Sequence, residues 1–178
     1  MRRGSKKQED NSGARLLTLE ERRRKTFERA AKLLAAKSRS IAELRERLLE
    51  GRHANETVVE EVIARLREYG YLDDERFAVS FATSKVRQRP TGRRRLERDL
   101  SLKKLDRAVV EEALNAVYAE TPEEELIDRA IEKRLRLRGR PQTREEAKSL
   151  FDHLLRQGFP FDLVSEKVRA ASKADFDE

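Results

Sequence analysis

The sequence contains no cysteine and no tryptophan, and it has only four prolines and seven glycines among 178 residues. Without cysteine the chain can form no disulfide, no thiolate metal site and no thiol nucleophile. The longest uninterrupted apolar run, Leu33 to Ala36, is far shorter than the roughly 20 residues that a membrane-spanning helix needs. No apolar segment follows the basic N-terminus, so we expect no signal peptide and a cytoplasmic protein.

Apolar residues are also scarce. They make up 37% of the chain and charged residues 42%, whereas a compact globular domain usually has roughly 45–50% apolar residues. Arg, Glu, Leu, Ala and Lys dominate, and these are good helix formers. No stretch alternates apolar and polar residues between turn signals, so the composition and pattern predict an all-α protein.

Apolar residues instead recur three and four positions apart, as in the stripe from Val58 to Leu66. At four predicted helix starts a Ser or Thr precedes a Glu by three positions, which is the capping-box pattern. These pairs are Thr18/Glu21, Ser40/Glu43, Thr121/Glu124 and Thr143/Glu146. Further N-cap candidates are Asn55, Asp73 or Asp74, Thr91, Asp106 and Asp162. Together these signals predict nine helices near 19–37, 41–50, 56–69, 74–88, 92–103, 107–119, 122–138, 144–157 and 162–172.

The predicted second, fifth and eighth helices share an apolar spacing. Leu44, Leu48 and Gly51 in the second match Leu96, Leu100 and Lys103 in the fifth and Phe151, Leu155 and Gly158 in the eighth. This repetition predicts three tandem three-helix repeats at 18–72, 73–120 and 121–172, stacked as an elongated, curved array. Residues 1–17, basic and polar, and 173–178, acidic, are expected to be flexible tails.

Positive charge is concentrated in the middle of the chain. The formal net charge is +7, and residues 85–104 alone have a net charge of +7, so the remainder sums to zero. A second basic segment, 129–140, has a net charge of +5, and residues 105–125 between the two have a net charge of −6. The candidate partner- or anion-binding residues are Lys85, Arg87, Arg89, Arg93, Arg94, Arg95, Arg98, Lys103, Lys104, Arg134, Arg136 and Arg138.

The loop Pro90-Thr91-Gly92 precedes three consecutive arginines. A helix N-terminus presents free N–H groups, which together with guanidinium groups favour phosphate or carboxylate. The anion could be DNA phosphate or an acidic protein surface, and a merely solvated charged face is the alternative. Because Asn and Gln are scarce there, base-specific readout is not expected.

The segment from Gly70 to Phe77 is predicted to be a joint between repeats. Gly70 can end a helix in the left-handed conformation, Tyr71 and Leu72 supply an apolar link, and Asp73 or Asp74 can cap the next helix. Phe77 and Phe81 are four residues apart and share one helical face.

Nothing in the sequence indicates catalysis. The two histidines, His53 and His153, are isolated and are expected to be ordinary surface or loop residues. There is no phosphate-binding glycine loop, nucleophile elbow or paired metal ligands. We therefore expect no enzyme activity, no cofactor and no metal. The basic segment lacks interleaved aromatic residues that could insert into a membrane surface.

Two runs carry a resemblance to a known family. The run Gly70-Tyr71-Leu72-Asp73-Asp74-Glu75-Arg76-Phe77-Ala78, followed by Gly92 to Leu100, resembles the core of the RecX family. Ser38 to Leu44 and Gln157-Gly158-Phe159 resemble that family's first- and third-repeat motifs. One departure is visible, because the family usually has Lys-Gly-Ile where this chain has Lys103-Lys104-Leu105.

The resemblance implies a non-enzymatic bacterial regulator built of three three-helix repeats. Such proteins bind the RecA recombinase, notably its filament on single-stranded DNA, and most often inhibit it by lying in the filament groove or by blocking growth at an end. A helix-turn-helix-like protein acting on duplex DNA stays open as the alternative, and weak direct DNA binding is compatible with either. With limited apolar surface, a monomer is expected.

Overall fold

The computed structural model describes residues 17–52 and 55–172, and within them it contains nine α-helices and no strand. The all-α prediction is therefore confirmed. The predicted tails and His53 lie outside the described residues, apart from Leu17 at the edge of the first tail. The helices are α1 Leu19–Ala36, α2 Ile41–Leu49, α3 Glu56–Glu68, α4 Asp74–Gln88, α5 Arg93–Ser101, α6 Arg107–Glu120, α7 Glu123–Arg138, α8 Arg144–Arg156 and α9 Phe161–Ala171.

Most helix starts follow the predicted capping. Thr18 and Ser40 form full capping boxes with Glu21 and Glu43. Asn55 and Asp106 cap α3 and α6, and Thr143 caps α8. The predictions at Thr91, Thr121 and Asp162 were wrong. Pro122 and Pro160, each followed by a helix, occupy the N-cap positions of α7 and α9, and Gly92 occupies that of α5.

The helices pack in threes, as tandem repeats. Within each group every helix contacts the other two, which gives repeat one (α1–α3), repeat two (α4–α6) and repeat three (α7–α9). The buried apolar residues nevertheless form two clusters. One is confined to repeat one and ends at Leu72, and the other runs continuously from Ala78 to Val168 through repeats two and three.

The joint between repeats one and two is polar. The Ser40 hydroxyl, fully buried, donates to the carbonyl oxygen of Lys103 at 2.6 Å, and the backbone N–H of Ile41 donates to Asp74 Oδ1 at 2.9 Å. Lys103 Nζ lies 2.8 Å from Glu43 Oε1, and Lys104 pairs with Glu46. Hydrogen bonds and ion pairs therefore fix the first two repeats to each other.

The joint between repeats two and three is a backbone contact. The N–H of Gly92 donates to the carbonyl of Gln157 at 2.9 Å, and the N–H of Arg94 donates to the carbonyl of Gly158 at 3.3 Å. A Cβ atom on Gly92 would lie 2.3 Å from Gly158 C, and one on Gly158 would lie 2.4 Å from Arg95 N. Both positions must therefore be glycine for the repeats to approach this closely.

The turn after α5 retains left-handed geometry without a glycine. Lys104 has φ 56° and is the one non-glycine residue with positive φ in the described part of the chain. Gly158, with φ 90°, follows α8 in the corresponding place. The departure from the family's usual glycine thus leaves the turn in place, at a cost of about 1–2 kcal/mol for a side chain in this region.

The predicted alignment of α8 with α2 and α5 was wrong by one residue. Leu150 and Leu154 are 2% and 0% exposed, whereas Phe151 and Leu155 only pack against the edge of the cluster. Gly158 then corresponds to Lys104 rather than to Lys103. Four apolar residues on consecutive turns, Leu150, Phe151, Leu154 and Leu155, satisfy either register, so the sequence pattern could not choose between them.

Candidate anion-binding surface

Two of the three consecutive arginines at the start of α5 are committed to internal contacts. The backbone N–H of Arg93 donates to Glu123 Oε1 at 2.7 Å, and its guanidinium donates to Asn115 Oδ1 at 2.6 Å and lies 6.0 Å from the Tyr118 ring centroid. Arg95 Nη1 donates to the carbonyl of Arg156 at 3.3 Å. Only Arg94 is exposed, so this segment joins repeats more than it presents charge.

The lysines of the basic segment 85–104 also have internal partners. Lys103 and Lys104 form the ion pairs with Glu43 and Glu46 at the first joint. Lys85 Nζ lies 3.7 Å from Asp99 Oδ2. These three predicted anion-binding residues are therefore at least partly neutralised within the chain.

The remaining predicted residues are available to a partner. They are exposed, apart from the half-buried Arg134, and have no ion-pair partner among the described residues. The set is Arg87, Arg89, Arg94, Arg98, Arg134, Arg136 and Arg138.

Four guanidinium groups gather around His153, on α8. Arg134 and Arg138 come from α7, Arg156 from α8 and Arg89 from the end of α4, and all four act electrostatically on the imidazole. We call these four residues the arginine group. It combines side chains of repeats two and three, and it has no acidic partner within residues 17–52 and 55–172.

Burial and the four arginines lower the pKa of His153 below its usual value. Gln157 Nε2 donates to His153 Nε2 at 2.7 Å, a bond that neutral imidazole accepts. Arg134 donates to Ser149 Oγ at 3.2 Å, and burial together with Arg138 and Arg156 lowers its pKa as well. An anion bound here would relieve the repulsion that Arg138 and Arg156 exert on Arg134.

Sequence reasoning missed His153 and Arg156 as members of this group. His153 was interpreted as an ordinary surface residue and Arg156 was not singled out. The backbone contact at Gly92 and Gly158 brings Arg89 towards α8, so the group depends on a tertiary joint. The one available signal was the resemblance of Gln157-Gly158-Phe159 to a family motif, one residue after Arg156.

The predicted joint residues divide between the two repeats. Gly70 has φ 71°, and Leu72, 4% exposed, packs into the cluster of repeat one. Asp73 Oδ1 accepts from the N–H of Arg76 and caps α4, while Asp74 bonds α2. Tyr71, at 66% exposed, does not form the expected apolar link but meets Tyr69 edge to face.

Helix packing and charge together define a class of protein. It is a tandem array of three three-helix repeats with a cationic surface where the second repeat meets the third. Among the described helices none is long and apolar enough to cross a membrane. No group of side chains suited to hold a metal ion is found in the described residues.

Comparison with known proteins gives the family. A family model for the second three-helix domain of RecX matches residues 73–114. The regulatory protein RecX of Chlorobaculum tepidum is 32% identical over 144 residues, covering 80% of this chain and 86% of that protein. The chain belongs to the RecX family.

Two further relatives show how far the similarity extends in chain length and in fold. The regulatory protein RecX of Bacillus velezensis is 30% identical over 155 residues, covering 87% of this chain and 58% of that protein. The chain spans about half the length of the Bacillus relatives it matches. The crystal structure of RecX from Lactobacillus salivarius superposes with a TM-score of 0.74 at 21% identity, covering 86% of this chain and 98% of that one, a likeness of fold.

Proposed function

We propose that this chain is a regulatory protein that binds RecA, notably the RecA filament on single-stranded DNA, and restrains its ATPase, strand-exchange and coprotease activities. Membership of the RecX family supports this function, since its relatives carry the name regulatory protein. Groove binding and capping of a filament end are both compatible with a chain of stacked repeats.

The observation that carries the proposal is the arginine group. Four uncompensated guanidinium groups on adjoining repeats suit a partner that presents anions at several points along its length, as a nucleoprotein filament does. Arg136 on α7 and Arg94 and Arg98 on α5 are also exposed and add to the positive charge of repeats two and three. The contact could be to DNA phosphate or to acidic residues of RecA.

The test is ATP hydrolysis by RecA on single-stranded DNA. Substoichiometric amounts of the chain should suppress it, and the variant Arg134→Glu, Arg138→Glu, Arg156→Glu should lose most of that effect while keeping its helical content. A matched control reverses Lys32, Arg67 and Arg107, which are exposed and have no ion-pair partner among the described residues. Full suppression by the first variant would show that the arginine group only keeps the chain soluble.

Direct binding to duplex DNA is the second candidate, and the same unpaired guanidinium groups favour it. It predicts tight association with naked duplex and a steep fall in affinity with salt, because each neutralised phosphate releases counterions. Absence of any effect on RecA, together with tight duplex binding that the triple reversal removes, would replace the first function with this one.

A further inference from the structure

A cleft of about 520 Å³ separates the end of α1 from one face of α4, beside the joint of repeats one and two. Leu34, Lys37 and Arg39 form one wall. The other wall is the α4 face that includes Phe77, Ser80, Phe81, Ser84 and Lys85. None of these residues belongs to the arginine group.

The floor of the cleft is aromatic. The rings of Phe77 and Phe81 stack with centroids 5.9 Å apart and planes at 28°. Lys85 Nζ and Lys103 Nζ lie 5.3 Å and 5.5 Å from the Phe81 centroid. Phe81 packs against the larger apolar cluster, but Phe77 belongs to neither cluster, so its side chain is half-buried with apolar surface left over.

The charge around this floor is mostly positive. Lys37, Arg39, Arg76 and Lys85 line the cleft. Arg76 also donates to the carbonyl of Gly70, and Lys85 lies 3.7 Å from Asp99 Oδ2. The one acid, Asp73, already uses its carboxylate to cap α4. Arg39 Nε is buried and donates to no acceptor in the described part of the chain. A buried donor without an acceptor costs about 1–3 kcal/mol, which a carboxylate in the cleft would offset.

We propose that this cleft binds an acidic peptide segment of a protein partner, with one apolar side chain seated against Phe77 and Phe81 and carboxylates on Arg39 and its neighbouring cations. Charge complementarity and the unpartnered Arg39 donor favour an acidic peptide, and the aromatic floor favours a peptide with one apolar side chain. The inference does not require that the segment belong to RecA.

Single-stranded nucleic acid fits the cleft less well. Its bases bind by stacking on open aromatic faces. Here Phe77 and Phe81 stack on each other, and two ammonium groups already lie near the Phe81 ring.

The experiment uses the whole chain and a fluorescein-labelled twelve-residue peptide of Asp and Glu with one central Phe. Fluorescence anisotropy should show binding that weakens about tenfold or more, roughly 1.4 kcal/mol, on Ser80→Glu. That change places a negative charge in the cleft and removes no side-chain hydrogen bond of the described structure. Val79→Glu, on the exposed surface of α4 outside the cleft, is the matched control and should bind as the parent chain does.

Arg39→Met separates binding from folding. It removes the buried donor and keeps much of the side-chain volume, so thermal stability should be unchanged or higher while peptide affinity falls. A peptide with Lys in place of the acids, or Gly in place of Phe, should bind at least tenfold more weakly. Equal binding of the lysine peptide, indifference to Ser80→Glu, or tighter cleft-dependent binding of oligothymidylate would each overturn the proposal.

Discussion

At the scale of single residues, His153 differs most from its interpretation as an ordinary surface histidine. Its surroundings favour the neutral form, because burial and four guanidinium groups all penalise a further positive charge. Because the four arginines act on its imidazole, the pKa of His153 should change when an anion binds the arginine group.

The first prediction concerns the pH dependence of stability. Because the folded pKa of His153 lies below its usual value of about 6.5, the unfolded chain binds this proton more readily. The free energy of unfolding should therefore fall as the pH drops from above 6.5 through the lowered folded pKa. In thermal unfolding, His153→Gln should lose less stability than the parent chain between pH 7.5 and pH 5.5. A loss as large as that of the parent chain would contradict the prediction.

The same residue can report binding. A polyanion such as a single-stranded oligonucleotide or heparin would neutralise the guanidinium groups that lower the pKa of His153, so that pKa should rise on binding. An NMR titration of the imidazole protons measures this, with His53→Gln used to assign the signal. A pKa that does not move when the polyanion is bound would place the contact elsewhere.

At the scale of helices, the sequence predicted which segments are helical and where most helices begin, because apolar periodicity and capping depend on residues close together in the chain. Helix starts at α1 to α4, α6 and α8 match the predicted caps at or within a residue. What could not be predicted is how the helices meet. Ile41 with Asp74 and Gly92 with Gln157 are contacts between residues far apart in sequence, and no periodicity encodes such a pairing.

The same limit explains why the anion-binding residues were only partly predicted. Regional charge identified the basic segments 85–104 and 129–140, but Arg93, Arg95 and Lys103 serve the joints and are not free for a partner. Whether an arginine faces outwards or across a joint depends on the neighbouring repeat. A reversal of Arg93, Arg94 and Arg95 together would therefore act on stability as well as binding.

The second prediction tests the backbone joint through Gly92→Ala. Gly92 has φ −77°, which alanine adopts freely, so any cost arises from the Cβ meeting Gly158 at 2.3 Å. We expect a loss of about 1–3 kcal/mol in urea unfolding, and chemical-shift changes concentrated around residues 89–95 and 153–159.

Gly139→Ala is the matched control. Gly139 has φ 79° and ψ 178°, a region essentially confined to glycine, and nothing lies within 4 Å of an added Cβ, so its cost is backbone strain alone, about 1–3 kcal/mol, with no chemical-shift change around Gly158. Retained stability in Gly92→Ala, with the spectrum around Gly158 unchanged, would show that the close approach of the two backbones is not what holds repeats two and three together.

At the scale of the whole molecule, the two joints differ in physical kind. Repeats two and three share one apolar cluster and a backbone contact. Repeat one has its own cluster and is held to repeat two by Ser40, the Ile41–Asp74 bond and two ion pairs. The first joint should accordingly weaken as ionic strength rises, whereas the second should not, because salt there screens the mutual repulsion of the arginine group.

The third prediction uses one amide at each joint as a reporter. The N–H of Ile41 donates to Asp74, and the N–H of Gly92 donates to the carbonyl of Gln157. Raising salt from about 0.05 M to 0.5 M screens charges beyond a few ångströms, so hydrogen-exchange protection at Ile41 should fall while that at Gly92 holds. Parallel changes at both amides would mean that the repeats open as one unit.

The contact of Gly92 with Gly158 also fixes the order in which the repeats can occur along the chain. Each joint has two matched halves: a serine hydroxyl facing a lysine carbonyl at the first, and two glycines at the second. A gene rearrangement that placed repeat one directly before repeat three would set Ser40 in the place of Gly92, where a Cβ would lie 2.3 Å from Gly158 C. Repeat two carries both matching halves, the Lys103 carbonyl for repeat one and Gly92 for repeat three, so the repeats cannot change places without the loss of a joint.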